Sequence, residues 1–191
     1  MKTLHIVLIV IGVILLVAFI GVFAGSGVYD KAVVLQEAVD KEWADVQATY
    51  QRRADLIPNL VNTVKGAAEV EERILTKVTQ ARAGIANAKT PEDLELAGRE
   101  INTAINLAFE AYPQIRSVSN FSDLQAQLEG TENRINVARQ RYNEAVSAYN
   151  SHIRGFFRSF WLNMLADEGE FPKKEGFQSK QGADEAPEVK F

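Results

Sequence analysis

The chain contains no cysteine, which excludes disulfides, a thiol nucleophile and a thiolate metal site, and leaves no redox indication of compartment. Histidine is almost as scarce. His5 and His152 are the only two, far apart and without the His-Glu spacing of a metal site, so a packed or capping role is expected for His152. No Gly-rich phosphate loop and no Gly-x-Ser-x-Gly elbow occurs. Basic residues are not in excess: 21 Lys and Arg stand against 25 Asp and Glu, and Arg52-Arg53 and Lys173-Lys174 are only pairs with acids nearby. A nucleic-acid partner would demand a basic face, and none is present. Sustained period-two alternation and Asn-Gly hairpins are missing too, so an all-α fold with essentially no sheet is expected. These absences predict a protein that is not an enzyme and carries neither metal nor cofactor.

What is present is unevenly placed. Ile6 to Ala24 carries no polar side chain, and with Leu4 and His5 the run reaches about 21 residues. That is close to the ~20 needed to cross a ~30 Å hydrocarbon core as a helix. A cleaved signal peptide is the rival, given Lys2 and the small residues Ala24-Gly25-Ser26, but the run exceeds the ~7–15 residues of a signal core. An uncleaved single-span anchor over residues 4–24, embedded in a lipid bilayer, is expected. Lys2 on one side and Lys31 and Lys41 on the other barely discriminate orientation. The reading adopted places the helical domain outside the cytoplasm.

Four helical seams follow. After a hinge at Gly25-Ser26-Gly27, where the helix breaks or runs on weakly, Ala32, Leu35, Val39, Trp43, Val46 and Tyr50 recur three or four apart. Pro58 predicts a stop near Asp55, with Asp55 capping a second helix that carries Leu60, Val64, Ala67, Glu71, Ile74, Val78, Ala81 and Ile85. Glu71 sits where an apolar residue belongs; it is either buried with a partner or wet at a bundle end. Thr90-Pro91-Glu92-Asp93 starts a third helix through Leu94, Ala97, Ile101 and Ala108, stopped at Tyr112-Pro113. The fourth is the longest. Phe121, Leu124, Leu128, Thr131, Ile135, Ala138, Tyr142, Ala145, Tyr149 and His152 form one seam that needs partner helices to cover it.

Beside that seam Asn136, Asn143 and Asn150 stand seven apart, next to Tyr142 and Tyr149 at the same interval, with Arg139 among them. The row is either a docking face for another chain or a set of hydrogen bonds to the chain's own helices. Then comes a cluster of Phe156, Phe157, Phe160, Trp161, Leu162, Met164 and Leu165, too short to span a bilayer. It lies at the membrane interface or folds back over the open end of the bundle; the second is the reading adopted. From Glu168 the composition is that of a loose tail, which Phe171, Phe177, Val189 and Phe191 could clip to the domain.

These residues resemble the LemA family of bacterial membrane proteins. The matching stretches are Gln51-Arg52-Arg53-Ala54-Asp55-Leu56-Ile57-Pro58-Asn59-Leu60-Val61, Val64-Lys65-Gly66 with Glu71, Tyr112-Pro113, Phe121-Ser122-Asp123-Leu124-Gln125 and Glu132-Asn133-Arg134-Ile135. The clearest is Ala138-Arg139-Gln140-Arg141-Tyr142-Asn143, continuing to Tyr149-Asn150, and Ala186-Pro187-Glu188-Val189-Lys190-Phe191 resembles the family's ending. One region departs: Gly155-Phe156-Phe157 stands where such proteins usually show Phe-Pro. The resemblance implies an N-terminal anchor in a bacterial inner membrane and an antiparallel helical bundle, and it implies no defined catalytic residues.

The expected division is an anchor and hinge over 1–27, a bundle of about four helices over 28–166, and a tail over 167–191. Arg52, Arg53, Asp55, Pro58, Asn59 and Glu71 are expected to be structural, capping the second helix and pairing the first with the second. These features together point to a membrane-anchored, coiled-coil-like scaffold or adaptor of the cell envelope, self-assembling or bound to an envelope protein. The alternative is a signal-input or ligand-sensing module with a small molecule between helices. An enzyme ranks third, with Glu71 and Arg53 the only candidate pair.

Overall fold

The computed structural model describes residues 2–63, 68–111 and 121–178. Five helices account for nearly all of them: α1 (Lys2–Thr63), α2 (Ala68–Asn87), α3 (Pro91–Ala111), α4 (Phe121–Ile153) and α5 (Phe156–Leu165), with no strand among the described residues. The expected all-α bundle is the observed one. The chain forms two compact units, the first of residues up to Lys41 with Ala145–Lys174, the second of Glu42–Glu144 with the chain from Glu175.

α1 is longer than the local rules allow. It runs through Gly25-Ser26-Gly27 and through Pro58, so the stop near Asp55 and a second helix capped by Asp55 are not observed. A proline inside a helix costs about 3 kcal/mol. Packing of the turn before Pro58 offsets that cost: Ala54 and Ile57 are fully buried, and a large apolar side chain so buried contributes about 1.5–3 kcal/mol. Leu60 consequently belongs to α1, while Val64, Lys65, Gly66 and Ala67 lie outside the described residues.

In the second unit four helices pack antiparallel, neighbour to neighbour. Asp55 pairs with Arg82 while Gln47 donates to the Ile85 carbonyl at 3.1 Å, which sets α1 against α2. α2 and α3 form a hairpin in which Gly84 faces Ala97 and Lys77 faces Glu100 at 3.6 Å. The α3 helix starts at Thr90-Pro91 as the sequence predicts, and the start closes as a capping box: Thr90 Oγ1 accepts the Asp93 N–H at 3.2 Å, and Asp93 accepts the Thr90 N–H at 3.0 Å. Those backbone N–H groups, with that of Lys89 foremost, hold the Asp93 carboxyl below its ordinary range. Val46, Tyr50, Ala54, Ile57, Ile74, Val78, Ala81, Ile85, Leu94, Ala97, Ile101, Ala104, Ile105 and Ala108 fill the core with Leu128, Ile135, Ala138 and Tyr142.

The first unit joins the N-terminal part of α1 to the end of α4 and to α5. Ala32, Val39, Val146, Tyr149 and Leu162 are buried in it. Val146, rather than the expected Ala145, continues the α4 seam after Tyr142, because a step of four there keeps the stripe from drifting off the covered face. From Ile6 to Phe23 the described side chains of α1 are long, apolar and exposed, and this part of the helix is long and apolar enough to cross a membrane.

Candidate functional site

At Asn143 and Asn150 the heptad row on α4 is occupied by the chain's own C-terminal segment. In the first unit Tyr149 donates its hydroxyl to the Pro172 carbonyl at 3.0 Å. Asn150 grips a whole peptide residue: its Nδ2 donates to the Lys174 carbonyl at 2.8 Å and its Oδ1 accepts the Lys174 N–H at 3.1 Å. In the second unit the same pattern recurs one heptad earlier. Tyr142 donates to the Glu175 carbonyl at 3.0 Å, and Asn143 donates to the Phe177 carbonyl at 2.9 Å while accepting the Phe177 N–H at 2.7 Å.

The intervals explain the sequence pattern. Seven residues of helix advance about 10.5 Å. Three residues of extended chain advance about 10 Å. Tyr-Asn repeated at seven therefore matches backbone groups repeated at three, and the partners are indeed 172 and 175 for the tyrosines, 174 and 177 for the asparagines. Asparagine suits the task because its amide carries a donor and an acceptor, so it replaces both hydrogen bonds a strand neighbour would supply. Gly176 is also required: a Cβ there would lie 2.8 Å from Asn143 Oδ1.

α1 completes each clamp. In the first unit Tyr29 donates to Glu170 and meets the Phe171 ring edge-on at 5.4 Å, while Lys174 Nζ reaches Asp40 at 3.2 Å. Burial, with Asp40 nearby, pushes the Tyr149 phenol up to about 12. In the second unit Phe177 is buried between Trp43, stacked at 6.2 Å, the edge of Tyr142 at 5.5 Å, and the Arg139 guanidinium 4.6 Å above its ring. Arg139 also pairs with Glu95 of α3. The residues from Glu168 to Gln178 are therefore not a loose tail, and Phe171 and Phe177 are its clips; Val189, Phe191 and the stretch 186–191 lie outside the described residues.

The other expected residues scatter by role. Arg53, largely buried, pairs with Glu132 of α4, and burial holds its guanidinium below the ordinary value. Asp55 and Arg82 link α1 to α2. Asp55 thus pairs across helices but caps none. Pro58 and Asn59 are interior to α1, and the Glu71 side chain lies outside the described residues, as do Tyr112-Pro113. Arg52 borders an open cleft with Glu42, Asp45, Arg134 and Arg141. Asn136 is exposed. His152 is buried, its Nε2 at 2.9 Å from the Val28 carbonyl and its Nδ1 facing Arg158 at 3.4 Å, so Nε2 carries the proton and the histidine is packed as expected.

α5 departs from the reading that it folds over a bundle end. Leu162 is buried, but Phe156, Phe157 and Phe160 are 85%, 76% and 59% exposed. Only its other face, with Trp161 and Leu165, lies against α1 at Gly21 and Gly25. Among the described residues the phenylalanines on the open side stay exposed, because the ten residues following the Gly155 break present only one flank to α1.

The LemA family model matches residues 42–191. The chain belongs to the LemA family. Among curated proteins it is similar to Protein LemA of Metamycoplasma hominis, 25% identical over 127 residues, covering 64% of this chain and 56% of that protein. It spans little more than half of that relative. Magnetosome proteins MamQ 1 and MamQ 2 of Paramagnetospirillum magneticum are each 27% identical over 207 aligned positions, covering 93% of this chain and 74% of the relative. The Tyr-Asn clamp, its Phe177 socket and the Arg53 and Arg139 ion pairs all fall within the part of this chain that the LemA family model matches.

Proposed function

We propose that this LemA-family protein is a membrane-anchored helical scaffold or adaptor of the bacterial inner membrane, without catalytic activity, whose bundle lies outside the cytoplasm. The observation that carries the reading is α1 itself. One unbroken helix begins as an exposed apolar run fit for a bilayer and ends as a member of a four-helix core. Asn143 and Asn150 are engaged in holding the chain to itself, which suits a building block better than a reaction centre.

With the Tyr-Asn face filled by the chain's own segment, partners bind elsewhere on the bundle. Cross-linking in intact membranes tests the proposal, with photoreactive groups at the exposed Val137 and Arg141. Discrete cross-linked species, containing further copies or one envelope protein, are expected. Exclusively single-chain product at every exposed position would contradict it.

A further inference from the structure

We propose that α5 is a second membrane-contacting element, lying in the plane of the same bilayer with Phe156, Phe157, Phe160 and Met164 among the lipid acyl chains. The proposal rests on the anchor assigned to α1.

The helix is built for one wet-to-dry boundary. At about 100° per residue, those four side chains fall within about 100° of arc, and all four are exposed. Ten residues make a helix about 15 Å long, half of a ~30 Å hydrocarbon core, so α5 cannot span and must lie flat. The opposite flank fixes its level. A Cβ on Gly21 would sit 3.1 Å from Trp161 Cη2, and one on Gly25 would sit 2.8 Å from Trp161 Cε3 and 2.9 Å from Leu165 Cδ1. Two glycines one turn apart thus make a flat seat for the indole at the last turns of the apolar run.

At that same level α1 exposes Phe19, Val22 and Phe23. Lipid that covers these side chains reaches the open face of α5 without any further partner. Tryptophan is the side chain enriched where acyl chains meet headgroups, and Arg154, exposed just before α5, is placed to meet lipid phosphates. A second protein chain on this face would have to share the space with the bilayer that α1 crosses.

Because the chain has no cysteine, single thiols report on single positions. The full-length protein is made with Phe157→Cys or Phe160→Cys, labelled with an environment-sensitive fluorophore, and reconstituted into phosphatidylethanolamine–phosphatidylglycerol vesicles. Val22→Cys serves as the membrane reference and Ser151→Cys, exposed on α4, as the aqueous one. Labels at both α5 positions should be quenched by lipids carrying a nitroxide high on the acyl chain and protected from aqueous iodide, as at Val22. Quenching by iodide to the extent seen at Ser151 would overturn the proposal. So would protection from both quenchers together with disulfide-linked dimers when the unlabelled Phe157→Cys protein is oxidised with copper phenanthroline, which would assign the face to a second copy. Retention of the protein in alkali-washed membranes separates the two readings: loss of the anchor fails both, whereas a retained protein with wet α5 labels fails this one alone.

Discussion

Asn150 and Lys174 are joined by two hydrogen bonds, Nδ2 to the Lys174 carbonyl at 2.8 Å and the Lys174 N–H to Oδ1 at 3.1 Å. A side-chain amide here takes the place of a neighbouring strand. Asn143 does the same for Phe177.

Replacing both asparagines by leucine leaves the N–H groups of Lys174 and Phe177 without these acceptors, at about 1–3 kcal/mol for each site. Helix content by circular dichroism should stay unchanged, because α4 does not need the segment to be helical. Trypsin should then cut at Lys173-Lys174 much faster than in the wild type. Unchanged cutting would show that the clamp contributes nothing to holding the segment.

Gly98 is a tight approach of α3 to α1. A Cβ there would lie 2.6 Å from Tyr50 Cε1, and Tyr50 is buried and unable to swing away. Gly98→Ala should destabilise the protein by about 1–3 kcal/mol despite alanine's better helix propensity. A raised melting temperature would mean that the ring moves freely.

Two ion pairs on α1 should differ in worth. The Arg53 side chain is 14% exposed, whereas Asp55 and Arg82 are 51% and 37% exposed. Glu132→Gln removes the carboxylate facing a largely buried cation and should cost about 1–3 kcal/mol. Asp55→Asn should cost under about 1 kcal/mol, less at high salt. Equal losses measured by urea unfolding would refute the distinction.

Burial, with Asp40 nearby, pushes the Tyr149 phenol up from its ordinary 10.0 to about 12. A group whose folded value is raised stabilises the fold fully below its unfolded value and loses that contribution as pH rises through the folded one. Stability should therefore fall between about pH 10 and 12 in the wild type, and less steeply in Tyr149→Phe. Identical pH profiles would place the phenol in water.

Much of this architecture is legible in the sequence because burial and helical period are the same signal. Leu94, Ile101, Ile135 and Tyr149 could be placed in seams by spacing alone, and all four are buried. The Pro58 boundary was misleading because proline's cost is local while the burial of Ala54 and Ile57 that offsets it is tertiary. The Tyr-Asn row announces itself, yet its partner does not. Glu-Phe-Pro-Lys-Lys-Glu-Gly-Phe has no period and a polar composition, and its order is imposed by side chains of α4 and α1 rather than by its own preferences. The one local clue is arithmetic, since a heptad interval on a helix equals three residues of extended chain. The open face of α5 was hidden for a different reason: a dense apolar cluster reads alike whether protein or lipid covers it.

The most direct test of the scaffold reading is the native mass of the full-length protein, extracted from alkali-washed membranes in mild detergent. A discrete assembly larger than one chain, containing further copies or a bound envelope protein, is the result expected. A lone monomer, released from the membrane by the alkaline wash, would contradict both the anchor and the scaffold.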